Sequence, residues 1–501
     1  MPEYCAGDTK VGLLYESGLP SLDCPDLATA ASSLLTALET EEPSADTKML
    51  AVNYADEGGY SGVWFTGEPY LFDRKAGVPA SVKVSRAFEQ VTLDEAADAA
   101  RKGGVTWVLP TAHCKRTVEL AELAERIGSH VNYLSPEAVA GFEDKGDFYD
   151  TLRDAGEFVP EIRRCNTAED IARALHAIGK VCVLKTSGGH SSLGLKTIDG
   201  SRELTQEDWR EIIDHVTLRD ALGLQAEGSI VQEFFGDAEW GVEVMFEVSR
   251  EGIEIVWDTS TRKIVLARYG RRVAHIQDPE DQERVEITQD VLLPAARRTL
   301  EAVLCKTPDR YRRAVGRHVL NLDVRTEGGV RYSVPDASGR WAPGFIEFGN
   351  AGLGLPARDP TFHRLARQWA RGEAVPPESF KLAADATPRA AVIGKAFTAT
   401  GGTVVHAYNQ YLWHDDTPDN VFGLRSAFPG AVLPGPGEAG DSADVDVFPS
   451  IGVNASTIQA AQELWRATLR DMGLVVERDN RLYSSDDEQS FTDYYRTASA
   501  T

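Results

Sequence analysis

The sequence carries little positive charge for its length. It has 52 lysine and arginine residues against 77 aspartate and glutamate residues, a formal net charge of −25 over 501 residues. The overall field of such a chain repels a polyanion, so we predict no nucleic-acid partner. A ligand that bears phosphate would need a local cluster of lysine, arginine and glycine. Such clusters are therefore informative in this sequence.

Long apolar runs and closely spaced cysteines are also missing. No stretch of about 18 uninterrupted apolar residues occurs, so we predict no membrane-spanning helix. Residues 1–5 lack the basic and then apolar pattern of a secretory signal. None of the six cysteines is at C-x-x-C spacing, which argues against a disulfide framework or a structural zinc site and fits a reducing compartment. We expect a cytoplasmic protein with no membrane partner.

The length and the pattern of apolar segments predict several structural units, because 501 residues exceed what one core usually holds. In residues 1–128, strand-like runs alternate with helix-like segments at 27–38, 93–102 and 117–127, which predicts an open α/β domain. Residues 129–385 read as an α+β domain with antiparallel strands. The Pro- and Ala-rich segment 373–389 reads as a linker, and 386–501 as a C-terminal domain. The strands predicted in the middle domain are 181–185, 229–235, 241–248, 253–258, 318–325, 331–334 and 344–348.

Lys145 precedes a predicted helix over residues 148–155, which ends at Gly156. A lysine at the start of a helix is poorly placed for the helix dipole, which favours anions there. It is well placed beside a bound phosphate, which the same N–H groups attract. The alternative is a solvated surface lysine.

Lys185 ends an apolar strand, and a loop rich in glycine and serine follows at once. Such a loop can bring backbone N–H groups and hydroxyls close to phosphate oxygens, because glycine has no side chain in the way. The loop is not a Walker motif, since G-K-[ST] is absent. The alternative is a plain hairpin turn. The candidate phosphate-binding residues of this segment are Lys185, Ser187, Gly188, Gly189 and Ser191.

A short polar loop lies between two apolar strands at residues 232–239. The side chain of Gln232 can accept from an adenine amino group, and the backbone of Glu233 and Phe235 can bind the edge of the ring. Glu239 can accept from two ribose hydroxyls. The alternative is a hairpin with an acidic tip.

Asp323 and Glu347 are carboxylates within segments that otherwise read as apolar strands. Burying unpaired carboxylates is costly, so a cation is expected nearby. Oxygen ligands of this kind suit Mg²⁺, which usually shares its shell with substrate phosphates. Arg325 lies two residues after Asp323 and hence on the same face of the strand. The alternative is a structural pair of Asp323 with Arg325.

The order of these four segments resembles the ATP-grasp superfamily over residues 129–370. The resemblance implies the ATP-grasp fold, ATP as the nucleotide, and Mg²⁺ as the metal with Mn²⁺ as the alternative. The family commonly spaces its last glutamate and asparagine as E-x-N, whereas Glu347 and Asn350 are one residue further apart. A β-bulge at Gly349 is one way to restore that geometry. The implied site consists of the phosphate lysines Lys145 and Lys185, the loop 187–194, Gln232 and Glu239 for adenosine, and the metal ligands Asp323, Glu347 and Asn350.

The resemblance also implies a reaction. A ligase of this type activates a carboxylate as an acyl phosphate, passes it to an amine and releases ADP and phosphate, with Lys185 and Arg325 as catalytic residues. The arginine that often follows the metal motif is missing, and residues 351–354 stand in its place. A pocket lined by these small residues suits an amino acid or a peptide as the substrate. The partners we expect are small carboxylates and amines, with a homodimer as an alternative to a monomer. Carboxylation, thioester formation and a non-catalytic regulatory role are the alternative functions.

Overall fold

The structure of the protein is a computed structural model. It describes residues 11–14, 49–55, 59–65, 72–73, 78–79, 90–91, 107–110, 136–187, 195–221, 228–265, 272–339, 345–357, 359, 361–370, 372–395, 402–406, 419–425, 432–433, 450–471, 473–478 and 480–484.

The N-terminal part contributes seven described strands, β1 (Val11–Leu14), β2 (Met49–Ala55), β3 (Gly59–Phe65), β4 (Phe72–Asp73), β5 (Val78–Pro79), β6 (Gln90–Val91) and β7 (Trp107–Pro110). β1 and β7 pair in parallel, as expected in an open α/β domain. β2, β3 and β6 form an antiparallel sheet, which the sequence analysis did not predict. The helices predicted at 27–38, 93–102 and 117–127 lie outside the described residues.

Two short helices, α1 (Pro136–Glu143) and α2 (Lys145–Asp154), open the middle part of the chain. Asp144 separates them and caps α2, since its carboxylate accepts a hydrogen bond from the backbone N–H of Asp147 at 3.0 Å. The predicted helix at 148–155 is confirmed, and it begins three residues earlier. Lys145 is therefore the first residue of α2, as its candidate role requires.

A four-stranded antiparallel sheet, the small sheet, follows in the order β10-β9-β11-β8. On one face, Cys182, Leu184 and Val231 are buried against two helices. Side chains alternate along a strand, so Lys185 lies on the opposite face from Leu184. The elements of this unit are β8 (Ile162–Cys165), α3 (Ala168–Ile178), β9 (Val181–Thr186), β10 (Lys196–Asp199), α4 (Gln206–Ala221) and β11 (Ser229–Glu233).

An eight-stranded antiparallel sheet, the large sheet, has the order β16-β15-β12-β13-β14-β17-β21-β19. Its last three strands come from residues 390–455, so the sheet crosses the predicted boundary at 385. The strands are β12 (Ala238–Val248), β13 (Ile253–Val265), β14 (Arg272–Gln277), β15 (Gly316–Glu327), β16 (Arg331–Ser338), β17 (Ala390–Lys395), β19 (Val421–Arg425) and β21 (Ser450–Ala455). A further sheet, in the order β20-β18-β22-β23, consists of β18 (Gly402–His406), β20 (Val432–Leu433), β22 (Val475–Arg478) and β23 (Arg481–Ser484).

The remaining helices are α5 (Gln282–Ile287), a π-helical turn (Thr288–Leu292), α6 (Leu293–Leu304), α7 (Pro308–Arg313), α8 (Phe345–Gly352), α9 (Thr361–Ala370), a 3-10 turn (Pro377–Phe380) and α10 (Ile458–Asp471). None of the helices in the described part of the chain is both long and apolar enough to cross a membrane.

The two faces of the large sheet have different roles. One face bears Trp240 and Val242 on β12 and Leu320 and Leu322 on β15, and these side chains share a core with α1, α2 and α6. Burying each such side chain stabilises the fold by roughly 1.5–3 kcal/mol. Because side chains alternate along a strand, the polar residues between them must lie on the other face.

Two predictions about the segment after β16 are wrong. Residues 344–348 read as a strand, but the structure has the helix α8 over Phe345–Gly352. Phe348 and Ala351 are buried three residues apart, which is the spacing of one helix face. The predicted linker at 373–389 contains the buried Phe380, whose ring lies 6.1 Å from that of Phe362, so it packs on the domain.

The buried His318 predicts an acid-sensitive core. Its Nε2–H donates to the carbonyl oxygen of Ala314 at 2.7 Å, and burial lowers the pKa of the ring to about 4. An unfolded histidine titrates near pH 6.5, so the unfolded state binds the extra proton between about pH 6.5 and 4. The free energy of unfolding should therefore fall as the pH is lowered through that window, by up to about 1.4 kcal/mol per pH unit from this histidine.

Urea unfolding at pH 7, 6 and 5 measures this effect. We expect His318→Gln to lose less stability than the wild type between pH 7 and 5, whereas His176→Gln, at an exposed position, should follow the wild type. Parallel pH dependence in wild type and His318→Gln would contradict the assignment.

Candidate functional site

The polar face of the large sheet brings together residues from four neighbouring strands. Asp336 on β16 lies opposite Asp323 on β15, and Asp323 lies opposite Gly241 on β12. Gly241 in turn lies opposite Thr261 on β13. Residues opposite each other in an antiparallel sheet share a face, so these four residues form one row across the sheet.

Asp336, which the sequence analysis did not select, is the carboxylate beside Asp323. The predicted strand 331–334 continues to Ser338, and the pairing of β15 with β16 shifts by one residue between Asp323 and Arg325. A bulge of this kind re-aims side chains, and bulges are frequent beside active sites. Asp336 and Ser338 also have the spacing of the family's E-x-N motif, with shorter side chains.

Glu347 and Asn350 are not on a strand next to β15, as predicted, because both lie in α8. The side chain of Glu347 lies outside the described part of the structure. The amide of Asn350 is fully buried and donates to the carbonyl oxygens of Ala357 (3.0 Å) and Asp359 (2.8 Å), while it accepts from the N–H of Phe362 (3.3 Å). These bonds hold the turn between α8 and α9.

Four cationic side chains approach the carboxylates of this face. Lys145 Nζ lies 3.5 Å from Asp336. Lys263 on β13 pairs with Asp323 and lies 3.4 Å from Glu239, and Arg325 lies 2.8 Å from Glu239. Asp323 thus has a cationic partner, Lys263, that the sequence did not indicate. The fourth cation is Lys185.

Lys185 is buried where the small sheet meets β16. Its ammonium donates to the hydroxyl of Tyr149 and to the carbonyl oxygen of Pro335, the latter at 3.2 Å. Burial, and to a smaller extent the charge of Lys145, lower the pKa of Lys185 to about 7, although Asp336 acts in the opposite direction. A bound phosphate would favour the charged ammonium and raise this pKa again. The position therefore favours an anionic ligand.

The structure describes the predicted nucleotide residues only in part. Gln232 is buried, and its Oε1 lies 3.3 Å from the Tyr149 hydroxyl. Glu233 turns its carboxylate to Lys180 at 2.5 Å. The carbonyl oxygen of Phe235 accepts from Arg325 at 3.3 Å. Gly188, Gly189 and Ser191 lie outside the described residues.

Ser187, the last described residue before the loop, links β9 to α2. Its carbonyl oxygen accepts from the backbone N–H of Lys145 at 3.2 Å, and its own N–H donates to the carbonyl oxygen of Gly228 at 3.1 Å. Lys145 therefore lies beside the start of the glycine-rich loop. Lys185 is two residues before Ser187 in the sequence, at the end of β9.

The carboxylates fit a magnesium ion that shares its shell with a ligand. In the described part of the chain, no three His, Cys, Asp or Glu side chains converge as a metal cluster. Mg²⁺ commonly takes only one or two protein carboxylates and completes its shell with waters and phosphates. Asp323 and Asp336, opposite each other on adjacent strands, supply such a pair.

Sequence reasoning missed Asp336, Lys263 and Tyr149. Asp336 carried a signal, since D-x-S repeats the E-x-N spacing and Arg340 follows it. Lys263 and Tyr149 carried none, because their partners come from distant segments.

The whole chain was compared with protein-family models, with curated protein sequences and with solved structures. No protein-family model matches the sequence, and no curated protein sequence matches it. Solved structures do match. An L-amino acid ligase from Bacillus licheniformis has a TM-score of 0.59 at 14% identity, and the match covers 94% of this chain and 99% of that one.

Two further structures are similar. A biotin carboxylase–β,γ-ATP complex from Campylobacter jejuni has a TM-score of 0.56 at 13% identity and covers 97% and 94% of the two chains. A carboxyaminoimidazole ribonucleotide synthase from Aspergillus clavatus, complexed with ATP, has a TM-score of 0.56 at 12% identity and covers 92% and 97%. The chain therefore has the ATP-grasp fold, as predicted.

Proposed function

We propose that the protein is an ATP-dependent ligase that activates a carboxylate as an acyl phosphate and transfers the acyl group to an amine. The observation that carries this proposal is the convergence of two buried lysines, Lys145 and Lys185, with the opposed carboxylates of Asp323 and Asp336. Buried cations beside partly exposed carboxylates suit a magnesium complex of a polyphosphate. The ATP-grasp fold supports the same function.

In this proposal, each group has one task. Asp323 and Asp336 would hold Mg²⁺, and the ion would supply positive charge beside the phosphates of ATP. Lys145 and Lys185 donate to phosphate oxygens and stabilise the charge of the transferring phosphoryl group. Gln232 accepts from the adenine amino group, and Glu233, Phe235 and Glu239 complete the nucleotide site. Ser187 and the glycine-rich loop that includes Gly188, Gly189 and Ser191 cover the phosphates.

The carboxylate substrate attacks the γ-phosphorus in line, and the bond to the β-phosphate oxygen breaks. An acyl phosphate and ADP result. The amine then attacks the acyl carbon, phosphate leaves with the bonding electron pair, and the amine loses a proton to give the amide. Arg325 and Lys263 lie on the same face as Asp323 and supply positive charge beside the reacting carboxylate.

Asn350 has no place in the proposed metal shell. Its buried amide already holds three backbone groups, and it lies on α8 rather than beside β15. Ser338 on β16, two residues after Asp336, takes the position that the asparagine has in the E-x-N motif. Its hydroxyl donates to Glu143 at 2.5 Å.

The proposal predicts the nucleotide product. Incubation with Mg²⁺-ATP and a panel of amino acids and small carboxylic acids, each tested with an amine, should yield one ADP and one phosphate per amide formed. Chromatography of the nucleotides and a phosphate assay measure both. Reactions without the acid and without the amine are the controls. Formation of AMP and pyrophosphate would replace the acyl-phosphate mechanism with an adenylating one.

Carboxylation is the second candidate function, because biotin carboxylases are among the structures with the same fold. Bicarbonate therefore belongs in the panel of acids. ADP formation that requires bicarbonate and no other acid would favour this second function over amide formation.

A further inference from the structure

Tyr149 lies between the small sheet and the strand that carries Asp336. It is on α2, fully buried, with its hydroxyl 2.7 Å from the carbonyl oxygen of Pro335. The same hydroxyl lies 3.3 Å from Oε1 of Gln232 and accepts from the ammonium of Lys185. One hydroxyl thus contacts three segments of the proposed nucleotide site.

The hydrogen bonds at this hydroxyl have a definite direction. Burial and the nearby Asp336 hold the pKa of Tyr149 well above its usual range, so the hydroxyl keeps its proton. It has a single proton, and the shorter contact directs that proton to Pro335 rather than to Gln232. Its lone pairs face Lys185, whose ammonium has donors only. Gln232 Oε1 remains able to accept from another donor.

Pro335 gives this contact its importance. It lies at the bulge of β16, where the pairing with β15 shifts, and proline is tolerated at bulges because it has no N–H to offer the sheet. Its carbonyl oxygen accepts from both Tyr149 and Lys185. The next residue is Asp336. A bond to Pro335 therefore fixes the backbone that aims the Asp336 carboxylate.

The ring and the hydroxyl of Tyr149 have separable roles. The ring is part of the core shared by α1, α2 and α6, and it lies 5.8 Å from the ring of Phe148. Phenylalanine would fill the same space, so Tyr149→Phe removes the hydroxyl and keeps the packing.

We propose that Tyr149 is a positioning residue that fixes Lys185 relative to the β16 bulge, and so sets the distance between the phosphate-binding ammonium and Asp336. This inference rests on the proposed function. Phosphoryl transfer depends on such positioning more than on covalent participation by the protein. The hydroxyl acts through Lys185, not on the substrate.

A double-mutant cycle tests the proposal. Tyr149→Phe should lower kcat for ADP formation about tenfold, the loss of one well-placed hydrogen bond, with KM for ATP changed less than about threefold. In the Lys185→Ala background, the same substitution should change kcat less than about twofold, because the group that Tyr149 positions is gone. A purely structural role predicts equal effects in both backgrounds, and that result would overturn the proposal.

Tyr311→Phe is the matched control. The Tyr311 hydroxyl also donates to a backbone carbonyl oxygen, that of Ser249 at 2.8 Å, and forms no other hydrogen bond in the described part of the chain. We expect Tyr311→Phe to keep the wild-type kcat. Thermal melts of both variants measure how much stability each substitution costs. If Tyr311→Phe lost as much kcat as Tyr149→Phe, the effect at Tyr149 would come from a less stable fold and not from a positioned Lys185.

The failure of the proposed function has a different signature. If the wild type forms no ADP with any acid, the ligase proposal fails, and the cycle is then measured on the Kd for Mg²⁺-ATP by calorimetry. The positioning role then requires Tyr149→Phe to raise this Kd by about two- to threefold in the wild-type background, within the limit given above for KM, and to leave it unchanged in Lys185→Ala. Additive effects on Kd would overturn it.

Discussion

Asp336→Asn should lower kcat on the order of a thousandfold, because the loss of the carboxylate that we propose as a magnesium ligand would remove several kcal/mol of charge stabilisation from phosphoryl transfer. The fold should barely respond. The Asp336 side chain is 43% exposed, and its ion pair with Lys145 spans 3.5 Å, a pair of the kind that contributes about 0–1 kcal/mol. Steady-state ADP formation and thermal melts of the apo protein measure the two quantities.

Asp220→Asn is the control for this experiment. The Asp220 side chain is also 43% exposed and pairs with Arg219 at 2.7 Å, on α4 of the small sheet's helical layer. We expect wild-type kcat in this variant. Near-wild-type turnover in Asp336→Asn, in a protein that melts normally, would remove Asp336 from the metal site.

Lys185→Ala should lower kcat about a hundredfold or more, since it removes the ammonium that we propose as a donor to the transferring phosphoryl group. The apo protein should not lose stability at pH 7.5. Burial lowers the pKa of Lys185 from its ordinary value to about 7, which means that the fold disfavours the charged ammonium. The unfolded state binds the extra proton between about pH 7 and 10.5, so the wild type gains stability as pH rises through that range, and the variant should lack this gain.

Lys196→Ala provides the comparison. The Lys196 side chain is 14% exposed and pairs with Glu211 on α4 at 2.5 Å, away from the carboxylates of the large sheet. This variant should keep its kcat and lose stability with its ion pair. A folded Lys185→Ala with wild-type kcat would exclude Lys185 from the reaction.

The strands of the middle domain were largely predictable from local pattern. The segments predicted at 181–185, 229–235, 241–248 and 318–325 correspond to β9, β11, β12 and β15. Each is an apolar run bounded by turn residues, and apolar burial decides such elements. The strand predicted at 253–258 continues to Val265 as β13.

The polar face of the sheet explains what local pattern missed. The strand predicted at 253–258 stops before residues 259–263 because these residues are mostly polar. In the structure, Thr259, Thr261 and Lys263 face the site and are shielded only once β12 and β14 pair with β13. Such pairing joins distant residues, for example His275 with Ile393, and no local signal encodes its register.

The acidic pair shows the same limit. Asp323 was selected because it interrupts an apolar run, whereas Asp336 follows a proline and reads as a turn residue. Residues 344–348 are a short and mostly apolar run, which is typical of a buried strand, but contacts with β13, β17 and β21 favour a helix there. The candidate phosphate lysines were predictable because each lies at the end of a regular element. Their partner Tyr149 was not, because its contacts cross from α2 to β16.

The transfer of oxygen from the acid to phosphate tests the central claim most directly. The acid that supports ADP formation is labelled with ¹⁸O in its carboxylate, and the products are analysed by mass spectrometry. An acyl-phosphate intermediate predicts one ¹⁸O atom in the released inorganic phosphate for each amide formed. Label in AMP, or inorganic phosphate without label while amide accumulates, would contradict the account.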